Sequence, residues 1–227
     1  MTRREVYNKP FAGFCSPRGP VIGPLVLAGV CLEESKLSQL KKLGVKDSKL
    51  LSPKRRQELA VEIKKLTKKI KIVKIDPAEI DSRASVGLNL NQLEALYCAK
   101  IIDDLEPDVV YVDSPTSPRA SKFADMIKAY LKTKKKIKII AQHRADIKFP
   151  IVSASSVLAK VTRDAEIERI KIETGESFGS GYPSDPLCQA FMQKHWSNAM
   201  SKYIRKTWET FKRAKAQKEQ KRLGEFE

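Results

Sequence analysis

An apolar run at residues 21–32 places the strongest constraint on how this chain can fold. Val21, Val26 and Val30 lie in this run, and few of its side chains are polar. A strand with one solvated face alternates apolar and polar residues, whereas a continuous apolar run is typical of a strand that is buried on both faces. The sequence therefore predicts a sheet that is covered on both sides.

A rigid loop precedes this run. Two prolines, Pro17 and Pro20, fix the backbone φ angle, and Gly19 between them permits a close backbone approach. An arginine that is held in such a loop, here Arg18, can bind phosphate. The simpler interpretation is a turn between two strands of a core hairpin. These residues alone leave both interpretations open.

Composition indicates a soluble protein. Hydrophobic residues make up 41% of the 227 residues, and no apolar run is as long as a membrane span. The first residues do not form a charged and then apolar leader. We therefore expect a cytoplasmic monomer without a membrane partner. The cysteines have no C-x-x-C spacing, so we expect neither a zinc site nor a disulfide framework; they are Cys15, Cys31, Cys98 and Cys188.

The charge of the chain points to a polyanionic partner. The formal net charge is +17, and an excess of Lys and Arg of this size attracts nucleic acid. The tail from Phe191 onward is helical by pattern, and residues 202–222 hold nine Lys or Arg against two Glu, a net charge of +7. A basic terminal helix is often a nucleic-acid arm, although a solvated basic surface explains the same composition.

Helix and strand patterns alternate after the apolar run. Ser52 as N-cap and Pro53 at the first helical position predict the start of a helix. The alternation IKIVKI at residues 70–75 predicts a half-buried strand. Either Asn89 or Asn91 is expected to cap the next helix. This alternation favours an α/β fold with a mixed sheet.

Two aspartates follow predicted strands. The short run DVVYVD at residues 108–113, which contains three β-branched valines, predicts a strand that ends at Asp113, because the prolines of the following SPTSP cannot continue it. A second strand is predicted at residues 137–141, and Asp146 comes shortly after it. The small residues Ser153–Ser156 are expected to open a helix. Ligands of open α/β sheets bind at the carboxyl ends of strands, so Asp113 is a candidate site residue.

Six motifs together resemble ribonuclease HII of the archaeal type. In chain order they are RGPVIGPLV, KDSKLLSPKRR, DVVYVDSP, ADIKFPIVSASSVLAKVTRD, GSGYPSDP and YIRKTWET. The resemblance covers roughly residues 11–211. It implies a ribonuclease H-like mixed sheet flanked by helices, as a catalytic domain of residues 1–185. A basic C-terminal helical extension, residues 186–227, is expected to pack on that domain.

The resemblance also implies an activity and a cofactor. Members of the family cut the RNA strand of RNA/DNA hybrids, and they cut on the 5′ side of single ribonucleotides in duplex DNA. Four carboxylates hold two divalent ions, Mg²⁺ or Mn²⁺, and two of the four match Asp113 and Asp146 in this sequence. Oxygen ligands suit these ions.

The first-strand motif of the family, Asp-Glu-Ala-Gly-Arg-Gly-Pro, is altered here. Counting back from Arg18 without a gap puts Phe14 at the Asp position and Cys15 at the Glu position. A one-residue deletion aligns Ala12 and Gly13 with the small residues of the family, but it still supplies no acid. The expected outcome is impaired hydrolysis. The alternatives are an inactive binder of RNA/DNA duplexes, or a local reading-frame slip or engineered replacement.

Residues that contact nucleic acid also follow from the resemblance. The family reads the ribose 2′-hydroxyl with the backbone of a Gly-Arg-Gly turn, which corresponds here to Pro17, Arg18 and Gly19. A tyrosine that stacks on the neighbouring sugar corresponds to Tyr182. Lys49 is expected to contact phosphate. Pro17 replaces the first glycine of the turn, so one backbone N–H is lost.

Overall fold

A computed structural model of the protein describes residues 10–15, 18–45, 51–115 and 120–224. Within these ranges, five strands form a single mixed sheet in the order β3-β2-β1-β4-β5. The strands are β1 (Pro10–Cys15), β2 (Leu25–Glu33), β3 (Lys69–Ile75), β4 (Val109–Asp113) and β5 (Lys138–Gln142).

Helices fill most of the remaining described chain. They are α1 (Leu37–Lys42), α2 (Pro53–Leu66), α3 (Pro77–Ser82), α4 (Leu90–Leu105), α5 (Ala120–Tyr130), α6 (Ala145–Lys148), α7 (Pro150–Thr174), α8 (Pro186–His195) and α9 (Glu209–Gly224). Short 3₁₀ segments lie at Glu34–Lys36, Arg83–Val86 and Ala199–Tyr203. No helix in the described part of the chain has the length and apolar character needed to cross a membrane.

The pairing of the strands sets the register of the sheet. β1 runs antiparallel to β2, so the predicted hairpin is present, and β1 runs parallel to β4. β4 also runs parallel to β5, with Asp113 opposite Gln142. β4 therefore lies inside the sheet, and Asp113 is its last residue. This confirms that Asp113 ends an interior strand.

Both faces of the sheet are covered by helices. On one face, alternate residues of β2 pack into an apolar cluster with α1, α2 and the first turns of α7. Val26, Leu40, Ile63 and Val152 are among its fully buried members. On the other face α4 contacts β1, and α5 contacts β5. Two covered faces explain why the sequence of β2 is continuously apolar.

Local capping signals act as predicted. Ser52 lies before α2, and its hydroxyl accepts a hydrogen bond from the N–H of Arg55 at 3.2 Å. Asn89, and not Asn91, caps α4. The Asn89 side chain accepts from the N–H of Gln92, and the Gln92 side chain accepts from the N–H of Asn89. Each bond satisfies a backbone donor that the first turn of a helix leaves without a partner.

The chain divides into two compact units. The first comprises the described residues of 1–17, 26–73 and 89–161, and the second those of 18–25, 74–88 and 162–227. The second unit has its own apolar cluster, which includes Ile22 and Phe191. The predicted domain boundary after residue 185 falls within the second unit, and that boundary stays a prediction.

The structure corrects the bounds of three predicted elements. Val21 and Ile22 precede β2, because the positive φ of Gly23 and the following proline interrupt the extended backbone. α7 begins at Pro150 and not at Ser153, since proline is well suited to the first helical turn. The tail is not one helix, because α8 ends at His195 and α9 begins at Glu209.

Candidate functional site

Asp113 and Asp146 lie near each other in the first unit, because Asp113 is bonded to the residue before Asp146. Oδ1 of Asp113 accepts a hydrogen bond of 3.0 Å from the N–H of Ala145. Asp146 is the next residue and lies in the first turn of the short helix α6. The bond to Ala145 therefore brings α6, and with it Asp146, next to the carboxyl end of β4.

The carboxylate of Asp146 is buried and incompletely satisfied. The residue is only 3% exposed, and Oδ1 has no hydrogen-bond partner among the described residues. The backbone carbonyl of Asp146 accepts a hydrogen bond from the hydroxyl of Ser153, which fixes the helix around it. A buried oxygen without a donor is rare in proteins, and a bound cation is one physical explanation for it.

The donor set of this pair fits a divalent ion that prefers oxygen. Two carboxylates supply hard anionic ligands of the kind that Mg²⁺ and Mn²⁺ bind. Within the part of the chain that the structure describes, no group of three or more His, Cys, Asp or Glu side chains converges on one point. The pair is therefore a smaller ligand set than the four carboxylates that the sequence resemblance implies.

Phe14 lies on the opposite face of the sheet from Asp113. It pairs with Val112, so the alternation of β4 places Asp113 on the other face. Phe14 is 2% exposed, and its ring covers Gly29, where an added Cβ would lie 2.7 Å from Cε1 of the ring. An acid at position 14 would enter this core and point away from Asp113.

This strand register argues against the gapless alignment with the family motif, which placed the first aspartate at Phe14. The alignment with a one-residue deletion agrees with the register, and it assigns the missing Asp-Glu pair to positions 15 and 16. Cys15 is the last residue of β1. The side chain of Cys15 lies outside what the structure describes, and so do residue 16 and the predicted contact residues Pro17 and Lys49.

Arg18 and Gly19 begin a loop of the second unit that is fixed by main-chain hydrogen bonds to another segment. The N–H groups of Val21 and Ile22 both donate to the carbonyl of Gly181, at 2.8 and 3.3 Å. Ile22 also forms an isolated antiparallel bridge with Ile204. The structure thus brings the predicted Arg18-Gly19 turn together with the predicted GSGYPSDP loop.

Tyr182 lies beside this turn, as a partly buried residue. A Cβ added to Gly19 would be 2.8 Å from Cε1 of the Tyr182 ring, so glycine is the side chain that lets the two segments approach. The guanidinium of Arg163 lies 4.8 Å from the ring centroid of Tyr182, within cation–π distance. Arg163 also donates to the carbonyl of Ser180 at 2.9 Å. The turn and the tyrosine therefore lie side by side, and the buried Arg163 packs against the ring.

Asp185 fixes the other end of the tyrosine loop. Its carboxylate accepts from the N–H and the hydroxyl of Ser180 at 2.7 and 2.9 Å, and from the N–H of Leu187 at 3.0 Å. The N–H of Ser180, together with the other donors, lowers the pKa of Asp185 from its usual value. The ionised carboxylate therefore holds the loop closed at neutral pH.

A buried arginine of the C-terminal region binds the backbone of the Arg18-Gly19 turn. Arg205 is 0% exposed, and its guanidinium donates to three backbone carbonyls, those of Arg18 at 3.1 Å, Gly23 at 2.9 Å and Pro24 at 2.6 Å. Burial lowers the pKa of Arg205 to about 9, and repulsion from Arg163 is the second-largest cause of this shift. The guanidinium remains charged at neutral pH.

Comparison with known proteins assigns the family. A family model of ribonuclease HII matches residues 16–211. The chain belongs to the ribonuclease HII family. Ribonuclease HII of Methanosarcina acetivorans is 44% identical over 201 residues, which cover 85% of this chain and 89% of the relative. Ribonuclease HII of Pyrococcus furiosus is 42% identical over 217 residues, covering 92% of this chain and 94% of the relative.

Solved structures agree with this assignment. The ribonuclease H2 structure from Pyrococcus horikoshii OT3 has a TM-score of 0.81 and 38% identity, and the match covers 92% of this chain and 99% of that chain. The PCNA:RNase HII complex from Archaeoglobus fulgidus contains a chain with a TM-score of 0.76, 37% identity and coverage of 88% and 95%. Bst-RNase HIII in complex with Mn²⁺, at 17% identity, shares the fold, with a TM-score of 0.76 and coverage of 96% and 72%. The predicted family and the predicted ribonuclease H-like fold are confirmed.

Two arginines of this ribonuclease HII chain were not predicted as site residues. Arg205 lies in YIRKTWET, which contributed to the resemblance without any role for its side chain. Arg163 lies near the end of the motif ADIKFPIVSASSVLAKVTRD and looks by sequence like any charged residue of a long helix. Their burial, and their contacts to loops far away in sequence, arise from tertiary packing and have no local signal.

Proposed function

We propose that this ribonuclease HII chain is an endonuclease that cuts the RNA strand of RNA/DNA hybrids and the 5′ side of a ribonucleotide in duplex DNA, at a reduced rate. The observation that carries this proposal is the Asp113 and Asp146 pair, in which a buried carboxylate oxygen lacks a donor. Carboxylates of this kind can hold the divalent ions of metal-assisted phosphodiester hydrolysis, and the basic chain supplies attraction to the substrate.

Asp113 and Asp146 would hold the divalent cation. A bound Mg²⁺ or Mn²⁺ would activate the attacking water and stabilise the leaving 3′-oxygen. The protein contributes the fixed position of the two carboxylates, through the Ala145 N–H bond to Asp113 and the bond from Ser153 to the Asp146 carbonyl. Two ligands bind such ions less tightly than four, so we infer that the missing pair lowers the rate.

We assign substrate reading to the Arg18-Gly19 turn and Tyr182. The close contact between Gly19 and the tyrosine ring supports this assignment, since a backbone turn and an aromatic face lie side by side. The Arg163 guanidinium, which is buried and ion-paired with Asp164, packs against the tyrosine ring and helps to fix its position. Such a surface suits a sugar that is flanked by phosphates, and a 2′-hydroxyl gives a protein the means to tell RNA from DNA.

The test is cleavage of a duplex that contains one ribonucleotide, with Mg²⁺ or Mn²⁺ present. We expect slow cutting by the unmodified chain on the 5′ side of the ribonucleotide. The repaired chain carries Cys15→Asp, Ser16→Glu and Pro17→Ala, with one glycine inserted after residue 17. It should cut at least about a hundredfold faster, which is a barrier lower by about 2.7 kcal/mol.

Asp113→Asn in the repaired chain is the matched control and should remove the gained activity. Equal rates for the repaired and unmodified chains would mean that the missing pair does not limit catalysis. A repaired chain that cuts DNA without a ribonucleotide equally well would contradict the proposed substrate.

A second candidate function is binding without cleavage. It is favoured by the absence of a third metal-binding side chain beside the pair within the described residues. Fluorescence anisotropy with a labelled hybrid distinguishes the two functions. A pure binder retains the hybrid with high affinity and yields no cut product in either metal over many hours.

A further inference from the structure

We propose that Arg205 is a positioning residue that sets the ribonucleotide selectivity of this chain by holding the Arg18-Gly19 turn against Tyr182. The inference rests on the proposed function, because it assumes that this turn reads the substrate. Arg205 does not contact the substrate in this proposal. It acts through the backbone of the turn.

The buried guanidinium of Arg205 has the geometry to fix this turn. Its Nη1 donates to Arg18, its Nε to Gly23 and its Nη2 to Pro24, so three of its donors hold both ends of the loop at residues 18–24. The planar fork of arginine fixes the directions of its donors. A lysine carries the same charge at a single nitrogen and cannot reproduce three such bonds.

Main-chain hydrogen bonds form a frame around this loop. The N–H of Arg205 donates to the carbonyl of Val21 at 2.8 Å, and the N–H of Gly23 donates to the carbonyl of Tyr203 at 2.8 Å. The segment at residues 203–205 therefore binds the loop through its main chain, while the Arg205 side chain fixes the turn itself. Trp208 covers the guanidinium, with its ring centroid 5.0 Å from Cζ.

The same frame extends to the segment that carries the tyrosine. The N–H of Val21 donates to the carbonyl of Gly181, the residue before Tyr182. A shift of the loop would change the short approach between Gly19 and the tyrosine ring. Displacement of a recognition group by about 1 Å is enough to cost a large factor in a positioned reaction, so the fixed loop has a functional value beyond stability.

The experiment compares Arg205→Lys with Arg169→Lys in the full chain. Arg169 is an exposed arginine of the same unit, paired with Glu166 and Glu173, and it serves as the matched control. Anisotropy without divalent ions gives the affinity for an all-DNA duplex and for the same duplex with one ribonucleotide. We expect Arg205→Lys to lower the preference for the ribonucleotide-containing duplex over the all-DNA duplex about tenfold. In Arg169→Lys, both the affinity for the all-DNA duplex and this preference should stay unchanged.

A second measurement tests positioning without any substrate. The N–H groups of Val21 and Gly23 should exchange with solvent faster in Arg205→Lys than in Arg169→Lys, because their partner carbonyls lose alignment. If Arg205→Lys does not fold by circular dichroism, Arg205→Met carries the same measurements, since it leaves no buried charge without partners.

Each outcome decides between the possibilities. Faster exchange together with a smaller affinity ratio supports the proposal. Unchanged exchange overturns the positioning role, and faster exchange with an unchanged ratio overturns the link to selectivity. If the unmodified chain shows no preference for the ribonucleotide while exchange responds to Arg205, then the proposed substrate reading fails and the selectivity claim fails with it.

Discussion

Substitution of Phe14 by aspartate should unfold or strongly destabilise this protein rather than restore a metal ligand. Phe14 is 2% exposed and its ring covers Gly29 on the face of the sheet that α4 packs against. Removing a buried phenylalanine to alanine costs about 3–5 kcal/mol, and a buried carboxylate adds a cost of its own. The total approaches the whole stability of an ordinary domain, about 5–15 kcal/mol.

The assay is urea unfolding followed by far-UV circular dichroism, with Phe14→Leu as the control. Phe14→Leu keeps an apolar side chain and should cost roughly 1.5 kcal/mol or less. Gly29→Ala should cost about 1–3 kcal/mol, because its Cβ would lie 2.5 Å from Cγ2 of Ile101 and 2.7 Å from the Phe14 ring. The double variant should lose less than the sum of the two, since the smaller leucine gives the new methyl group room.

Two results would refute the placement of Phe14. One is a Phe14→Asp chain whose free energy of unfolding stays within about 1 kcal/mol of the unmodified chain. The other is additive behaviour of Phe14→Leu and Gly29→Ala, which residues in contact should not show. Either result would mean that position 14 does not face the core beside Gly29, and the gapless comparison of the family motif would regain its force.

Three further predictions concern other parts of the molecule. The donors on Ser180 lower the pKa of Asp185 below its usual 3.8, so the stabilising effect of the carboxylate is present above that value and is lost as the pH falls through the lower folded pKa. The gap in Tm between the unmodified chain and Asp185→Asn should therefore stay constant above about pH 5 and shrink as the pH falls below 3.8. Removal of residues 212–227 takes away six Lys or Arg and three Glu, and the log-log salt dependence of duplex affinity should flatten by about 0.9 per lost phosphate contact; an unchanged slope would mean a solvated helix. Burial raises the pKa of the Cys188 thiol to about 12, so Cys188 should resist Ellman's reagent at about pH 8 until the protein unfolds, and rapid labelling of the folded chain would contradict its burial.

Local signals predicted much of the fold, and long-range packing decided the rest. The starts of α2 and α4 were readable because Ser52 and Asn89 bond to backbone donors only three residues away. The face on which Phe14 lies depends on pairing with β2 and β4, which no local pattern encodes. The sequence alone was enough to assign Asp113 to the end of a strand. The hydrogen bond between Asp113 and Ala145 could not be predicted from sequence, because it joins residues that are 32 positions apart.

Fewer residues depart from the family motif than the sequence alone suggests. Ala12 is fully buried, and an added Cβ on Gly13 would lie 2.5 Å from the carbonyl carbon of Ile151, so only glycine fits there. Phe14 completes the core on the other face. A stretch translated in a wrong reading frame would rarely supply these three residues in this order. We infer that β1 is native to this fold through residue 14, and that the altered part of the motif is confined to residues 15–17.

The state of Asp146 yields the final prediction, which separates a ligand from a structural carboxylate. Without metal, Asp146→Asn should raise the free energy of unfolding by about 1–2 kcal/mol, because it removes a buried charge whose Oδ1 has no donor. Asp103→Asn is the control and should destabilise the protein, since the Asp103 carboxylate accepts from the N–H groups of Lys132 and Thr133.

Addition of Mg²⁺ completes the test of Asp146. Binding of the ion to the folded chain alone should stabilise the unmodified protein by about 1.4 kcal/mol when Mg²⁺ is at ten times its Kd. Asp103→Asn should keep this gain, and Asp146→Asn should lose it. If Asp146→Asn is instead destabilised and Mg²⁺ affects all three proteins equally, the carboxylate holds α6 in place and the pair is not a metal site. A gain in stability from Asp146→Asn together with a lost response to Mg²⁺ would support Asp146 as a ligand of the cation, because its buried Oδ1 has no donor among the described residues.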